Sequence, residues 1–209
     1  MNIFDPDSKL MQALHDVGEL IILNLCFVIC CVPIVSIGAS YTAMYTVSLH
    51  EAEGYSGSTL GRFFRNFILN LKKGTILWVV LLTMGGALLY CHLFLSMNPQ
   101  FSTVIYRGAL LLVNILFILI ATISFPIQAR YDNSVFRTLR NGLIISVAFL
   151  PQVALMAVFN YLPVFLLYFN QELFLRLLII WAFLGFSVTA RVNSFFAVRV
   201  FRKLELENS

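Results

Sequence analysis

Five long apolar stretches separated by short basic segments organise this chain. A helix crosses the hydrocarbon of a bilayer in roughly 20 apolar residues. Residues 17–37, 75–97, 104–126, 143–168 and 173–195 each reach that length. The pattern predicts an all-α fold, a polytopic transmembrane helical bundle of five spans that occupies residues 1–209 as a single domain. The remaining residues leave no room for a separate soluble domain of ordinary size.

Two segments between the first spans carry their own periodicity. In 59–73, Leu60, Phe63, Phe64, Phe67, Ile68 and Leu71 repeat at helical spacing, with Arg62, Arg65, Asn66, Asn70, Lys72 and Lys73 on the opposite face. Ser58 or Thr59 can cap this helix and Gly74 can end it. Such a helix lies in the inner-leaflet interface. Its Arg62, Phe63, Phe64, Arg65, Phe67, Lys72 and Lys73 either anchor it in lipid or present a docking surface to a cytoplasmic partner. Just before it, Pro33 breaks the first span and Gly38 permits a turn. Residues 34–50 are apolar enough to form an alternative sixth, short crossing, which would put the N-terminus inside. A parallel between Asn24-x-x-Phe27 leading to Pro33-Ile34 and Asn114-x-x-Phe117 leading to Pro126-Ile127 favours five spans, since a parallel repeat needs spans one and three to run the same way.

Composition agrees with the pattern: 60% of residues are hydrophobic, 11% are charged, and the mean hydropathy is +0.88. The net charge of +4 follows from placement and gives no reason to expect a nucleic-acid partner. Eleven of the 14 basic residues flank the inner ends of the predicted spans; the exceptions are Lys9, Arg107 and Arg176. The positive-inside rule therefore puts both basic loops and the C-terminus in the cytoplasm of a bacterial cell membrane, and five spans put the N-terminus outside. Ser36-Ile37-Gly38 offers small residues suited to signal cleavage, but the tail before the first span is acidic rather than basic, so a retained span is expected.

Ionisable residues inside spans are costly, about 2.5–3.5 kcal/mol for Arg or Asp at a helix centre, and are candidates for function. In the five-span arrangement Glu19, His92, Arg107, Asn160 and Arg176 fall in the outer third of the bilayer. There Glu19 can pair with Arg107 or Arg176 and the group can bind a polar solute, or each side chain snorkels to the headgroups. Asn24, Asn114 and Asn193 suit interhelical hydrogen bonds. Cys26, Cys30, Cys31 and Cys91 lie within spans as small packing residues; with His92 alone beside them they make no convincing metal site. No phosphate loop, zinc-protease helix, nucleophile elbow or carboxylate pair occurs. The expectation is a protein that is not an enzyme and carries no cofactor or metal.

Several motifs are similar to the YesL-like family of bacterial membrane proteins. They are the opening Met1-Asn2-Ile3-Phe4-Asp5-Pro6-Asp7-Ser8, then Leu23-Asn24-Leu25, and Pro33-Ile34-Val35-Ser36-Ile37-Gly38-Ala39-Ser40. Phe63-Phe64-Arg65-Asn66-Phe67, with Asn70 and Lys72, and Pro126 through Arg130-Tyr131 extend the resemblance over most of the chain. Ser36 stands where many relatives have Thr, which keeps the hydroxyl. The family has no established activity, so the resemblance implies no catalytic residue. It implies an accessory role in ATP-driven oligosaccharide import, with importer membrane subunits as partners. A stand-alone transporter or channel and a lipid-interacting scaffold remain the other readings.

Overall fold

A computed structural model of the chain describes residues 9–55, 57–101 and 103–207. The opening motif Met1–Ser8 lies outside the described residues. All regular structure among them is helical: α1 (Lys9–Cys30), α2 (Ile37–Ala52), α3 (Thr59–Met97), α4 (Val104–Arg130), α5 (Val135–Ala148), α6 (Leu150–Phe169), α7 (Gln171–Ile180) and α8 (Phe186–Glu207). Short 3-10 turns occupy Ile34–Ser36 and Pro99–Phe101, and a π turn, Trp181–Gly185, joins α7 to α8.

The first predicted span does not continue to residue 37. Its helix stops at Cys30, and Pro33, which has no N–H to donate, sits in the reversal. The Ser36 hydroxyl lies 2.6 Å from the Cys30 carbonyl, left open at the end of α1, and 2.8 Å from that of Pro33 in the reversal. The chain then returns as α2, the centre of the molecule, buried on every side from Thr42 to Leu49. Its polar residues survive there because they bond backward along their own helix. Ser40 donates to the carbonyl of Ser36, Thr42 to that of Gly38 and Thr46 to that of Thr42, at 2.8–3.0 Å.

Small residues let α2 press on α3 backbone to backbone. A Cβ on Gly38 would stand 2.1 Å from the Gly74 carbonyl oxygen, and one on Gly74 would stand 2.9 Å from the Ala39 Cα. At the opposite end of this antiparallel pair, Glu51 meets Arg62. At 16 residues α2 rises about 24 Å, short of a hydrocarbon core of about 30 Å. It is therefore not a sixth full crossing.

The interfacial helix expected at 59–73 is the first half of α3, a single helix of 39 residues capped by Ser58. Gly74 does not end it; that glycine is the contact point with α2. The apolar stripe also divides. Phe63 is fully buried and Phe67 half-buried against α2, while Leu60, Phe64, Ile68 and Leu71 remain exposed. The fourth predicted span, 143–168, is split at Phe149, because Pro151 opens α6 and cannot extend the ladder of α5. The basic segment before it forms α5, held on α4 by Thr138 donating to Gln128 at 2.8 Å. The fifth predicted span is interrupted by the π turn and runs on through α8.

Among the described residues, four helical stretches are long and apolar enough to cross a membrane: Thr59–Met97, Val104–Arg130, Leu150–Phe169 and Gln171–Leu206. The reversal at Pro33 also overturns the parallel repeat. The N-terminal half of α1 lies beside Glu51, whereas α4 ends beside Glu53, so the two helices leave and approach the same end of the molecule.

Candidate functional site: an aromatic cavity over a neutral hydrogen-bond network

Six helices line the largest hollow described, about 670 Å³, which opens outward beside Leu82, Gly86 and Leu89. α1 contributes Phe27, α2 Tyr41, α3 Trp78 and the pair Gly85-Gly86, α4 Phe117 and Phe125, and α6 Asn160 and Tyr161; Phe186 closes it from α8. The rings form a connected wall. Tyr41 lies 5.6 Å from Phe27, 4.9 Å from Phe125 and 5.2 Å from Tyr45, and Phe27 lies 5.1 Å from Phe186, all tilted or edge-on. None of the lining residues is charged.

The floor is a set of neutral polar side chains. Asn160 Oδ1 accepts from Asn193 Nδ2 at 2.7 Å and from the Tyr41 hydroxyl at 3.3 Å. Asn193 also donates to the Tyr45 hydroxyl at 3.1 Å, and both Asn193 and Tyr45 are sealed from solvent. The Asn160 amide nitrogen carries two N–H groups, of which Tyr45 takes at most one. The Tyr161 hydroxyl makes no hydrogen bond among the described residues.

Asn24 does a related job at the edge of this assembly. A π turn shifts the hydrogen-bond register and leaves backbone groups without partners. Asn24 collects them: Nδ2 donates to the Ala182 carbonyl at 2.6 Å and Oδ1 accepts from the Ser187 N–H at 2.9 Å. Asn114 bonds His92 across α3 and α4 at 2.9 Å. All three deep asparagines thus bridge helices, as their depth implies.

A second polar region surrounds the end of α2. Glu51, with a side chain only 7% exposed, pairs with Arg62 at 3.1 Å and with Arg191. Burial pushes its carboxyl above the usual range, and Arg191 and then Arg62 pull it back. Nearby, Arg130 pairs with Glu53 and, at 3.1 Å, with Glu205, which also accepts from the Tyr131 hydroxyl at 3.0 Å.

The five residues expected to share an outer cluster are dispersed over four places. Glu19 lines a hollow of about 550 Å³ with His15, Asp16, Glu51, Arg62 and Arg191. The reversal at Pro33 brings it to the basic end and away from Arg107. His92 and Arg107 line a separate hollow between α3 and α4. Arg176 pairs with Glu172 one turn away on the exposed α7, and Asn160 sits in the cavity floor. Of the expected docking residues, Arg62 is engaged with Glu51, Phe63 is buried, Phe67 is half-buried, and Lys73 pairs with Asp132. Phe64, Arg65 and Lys72 are exposed. Sequence reasoning missed Glu51, Tyr41 and Tyr45. Their signal was a run of hydroxyls and a carboxylate at the end of an apolar stretch too short to span.

Four apolar helices long enough to cross a bilayer mark the chain as a helical membrane protein. Residues 20–91, about a third of it, are similar to a family described as "Protein of unknown function, DUF624". This match covers half of α1, all of α2 and most of α3, including the Gly38–Gly74 contact. No curated protein matches the chain, and no solved structure does.

Proposed function

We propose that this chain is a non-enzymatic cell-membrane protein that holds a small apolar molecule in its central cavity and serves as an accessory to ATP-driven oligosaccharide import. The observation that carries the ligand-holding part is the uncharged, aromatic-walled cavity around Asn160. Its size falls within the range of about 300–1,000 Å³ common for small-molecule sites, and apolar walls with a few convergent polar groups are what such sites share. The accessory part rests on the resemblance to YesL-like proteins. It is supported by Arg65, Lys72, Arg137, Arg140 and Arg202, which are exposed and enter no ion pair among the described residues.

The same reading fixes an orientation. Basic residues of α3, α5 and α8 belong in the cytoplasm. α1 starts at the Arg62–Arg191 end, so the N-terminal side of α1 is cytoplasmic too, and α1 and α2 form a hairpin that enters the bilayer and returns. Four full spans then keep both ends of the chain inside. Reporter fusions after Asn98 should read external, and fusions after Asp132 and before α1 cytoplasmic. An external reading before α1 would restore the five-span arrangement.

The accessory role is tested by purifying the tagged protein in mild detergent and measuring oligosaccharide uptake in cells lacking it. Importer membrane subunits should co-purify, and Arg65→Ser with Lys72→Ser should release them while the fold is retained. If nothing co-purifies and uptake is unchanged by deletion, the accessory role fails. A stand-alone transporter or a lipid-interacting scaffold then takes its place.

A further inference from the structure

We infer that the cavity ligand is an uncharged single-chain amphiphile whose head carries an ester or hydroxyl oxygen, held with that oxygen on Asn160 and its chain along the aromatic wall. This rests on the ligand-binding reading above and names the class of molecule bound.

The floor presents a particular set of hydrogen-bonding groups. Asn160 Oδ1 is already occupied twice, by Asn193 and Tyr41. What Asn160 offers a ligand is therefore an N–H, which asks for an acceptor oxygen. Tyr161, the next residue on α6, adds a hydroxyl able to donate or accept. An ester carbonyl or an alcohol answers these groups. A carboxylate, phosphate or ammonium does not, because no lining residue carries a compensating charge and a lone ion in such surroundings is heavily penalised.

The walls set the other end of the molecule. Phe27, Trp78, Phe117 and Phe125 offer ring faces and edges to a hydrocarbon chain. Gly86 lines the same space, and a Cβ built on it meets no atom within 4 Å. Its missing side chain leaves room that a chain can fill. A water-soluble sugar would find too few hydrogen-bonding partners here.

Trp78 makes the idea measurable, since the chain has two tryptophans and Trp181→Phe leaves it as the sole reporter. The full-length Trp181→Phe protein in detergent would be titrated with four bromine-labelled probes: a monoacylglycerol, a long-chain alcohol, a fatty acid at pH 8 and a phosphatidylglycerol. Saturable quenching of Trp78 by the monoacylglycerol or the alcohol is expected, at least tenfold tighter than by either charged probe. Asn160→Leu should weaken that binding about tenfold, the equivalent of about one hydrogen bond. Gly86→Phe should abolish it while thermal unfolding stays within a few degrees. Equal quenching by the charged probes, or no change with Asn160→Leu, overturns the inference and leaves the cavity as a binding site. Absence of saturable quenching by all four probes overturns the ligand-binding reading itself.

Discussion

Two polar regions are built on one buried helix, and they solve the same problem differently. In the middle of α2, Tyr41 and Tyr45 join Asn160 and Asn193 in a neutral network. At its end, Glu51 stands between two guanidinium groups, Arg62 Nε and Nη1 and Arg191 Nε finding no hydrogen-bond partner among the described residues. Neutral amides and hydroxyls lose less solvation than ions on burial and recover most of it through hydrogen bonds, although Asn193 Oδ1 also finds no partner among the described residues. Ions lose far more, and their mutual attraction need not repay it. The raised carboxyl of Glu51 says which effect wins there: burial outweighs both arginines. The neutral network is therefore a stabilising element, and the ionic cluster a pH-sensitive one.

Both regions depend on the seat of α2 against α3, so the largest effect belongs to Gly38. An added Cβ would stand 2.1 Å from the Gly74 oxygen and 2.5 Å from the Trp78 Cβ. Backbone cannot yield as a flexible side chain would. Gly38→Ala should cost at least about 3 kcal/mol, the upper part of the overpacking range, and Gly38→Leu should give no folded protein. Thermal unfolding in detergent measures the first, and size-exclusion behaviour the second. A well-folded Gly38→Leu protein would mean that the two helices are not in backbone contact.

Within the neutral network, Asn193→Leu removes two hydrogen bonds and should cost about 1–2 kcal/mol. The change should not add to Tyr45→Phe: the coupling between them is expected near 0.6 kcal/mol, typical of polar pairs in membrane helices. Strict additivity would dissolve the network into independent contacts.

How much of this was legible in the sequence follows from what each signal depends on. Apolar length is local, and it gave the helical membrane class and the start of α4 at Val104. Turns are local too: Pro33 is expected to break the first span, and α1 does stop short of it at Cys30. Residues 143–168, however, are expected as one span and divide at Phe149 beside Pro151. The long-range pairings left only faint marks. That Gly38 faces Gly74, that Asn24 serves a π turn more than 150 residues away, and that α2 is wrapped on all sides depend on packing that a periodicity cannot express. Phe63 and Phe64 look alike in sequence, yet one is buried against α2 and the other partly exposed. The placement of Glu19 failed for the same reason, since one reversal at Pro33 moves it from the outer face to the basic end.

The ionic cluster predicts a gentler, pH-dependent effect. The folded state raises the Glu51 carboxyl above its ordinary value, so it keeps a proton at a pH where the unfolded chain has released it. Stability is fully present below the ordinary carboxylate range and falls as pH rises through the raised value. Unfolding midpoints measured from pH 4 to pH 8 should decline across that window, and Glu51→Gln should flatten the decline. A midpoint that rises with pH, with a slope lost in Glu51→Gln, would show that the arginines outweigh burial and that the cluster stabilises after all.

The smallest effect concerns Glu19 and Arg176, which sequence reasoning set together and the fold keeps apart. Arg176 pairs with Glu172 on the exposed α7, the side chains 73% and 77% accessible. An exposed pair one turn apart adds little, because both side chains give up freedom to meet in a screened medium. Glu19 instead faces the hollow where Glu51 raises its own carboxyl partly in response to it. Arg176→Leu should thus leave the unfolding midpoint unchanged. Glu19→Leu should remove one negative charge from beside Glu51 and ease the decline with pH described above. The double variant should equal the sum of the two at every pH, since no contact links them. Non-additivity beyond about 0.5 kcal/mol would bring the residues into one cluster, and with it return α1 to the outer face of the membrane.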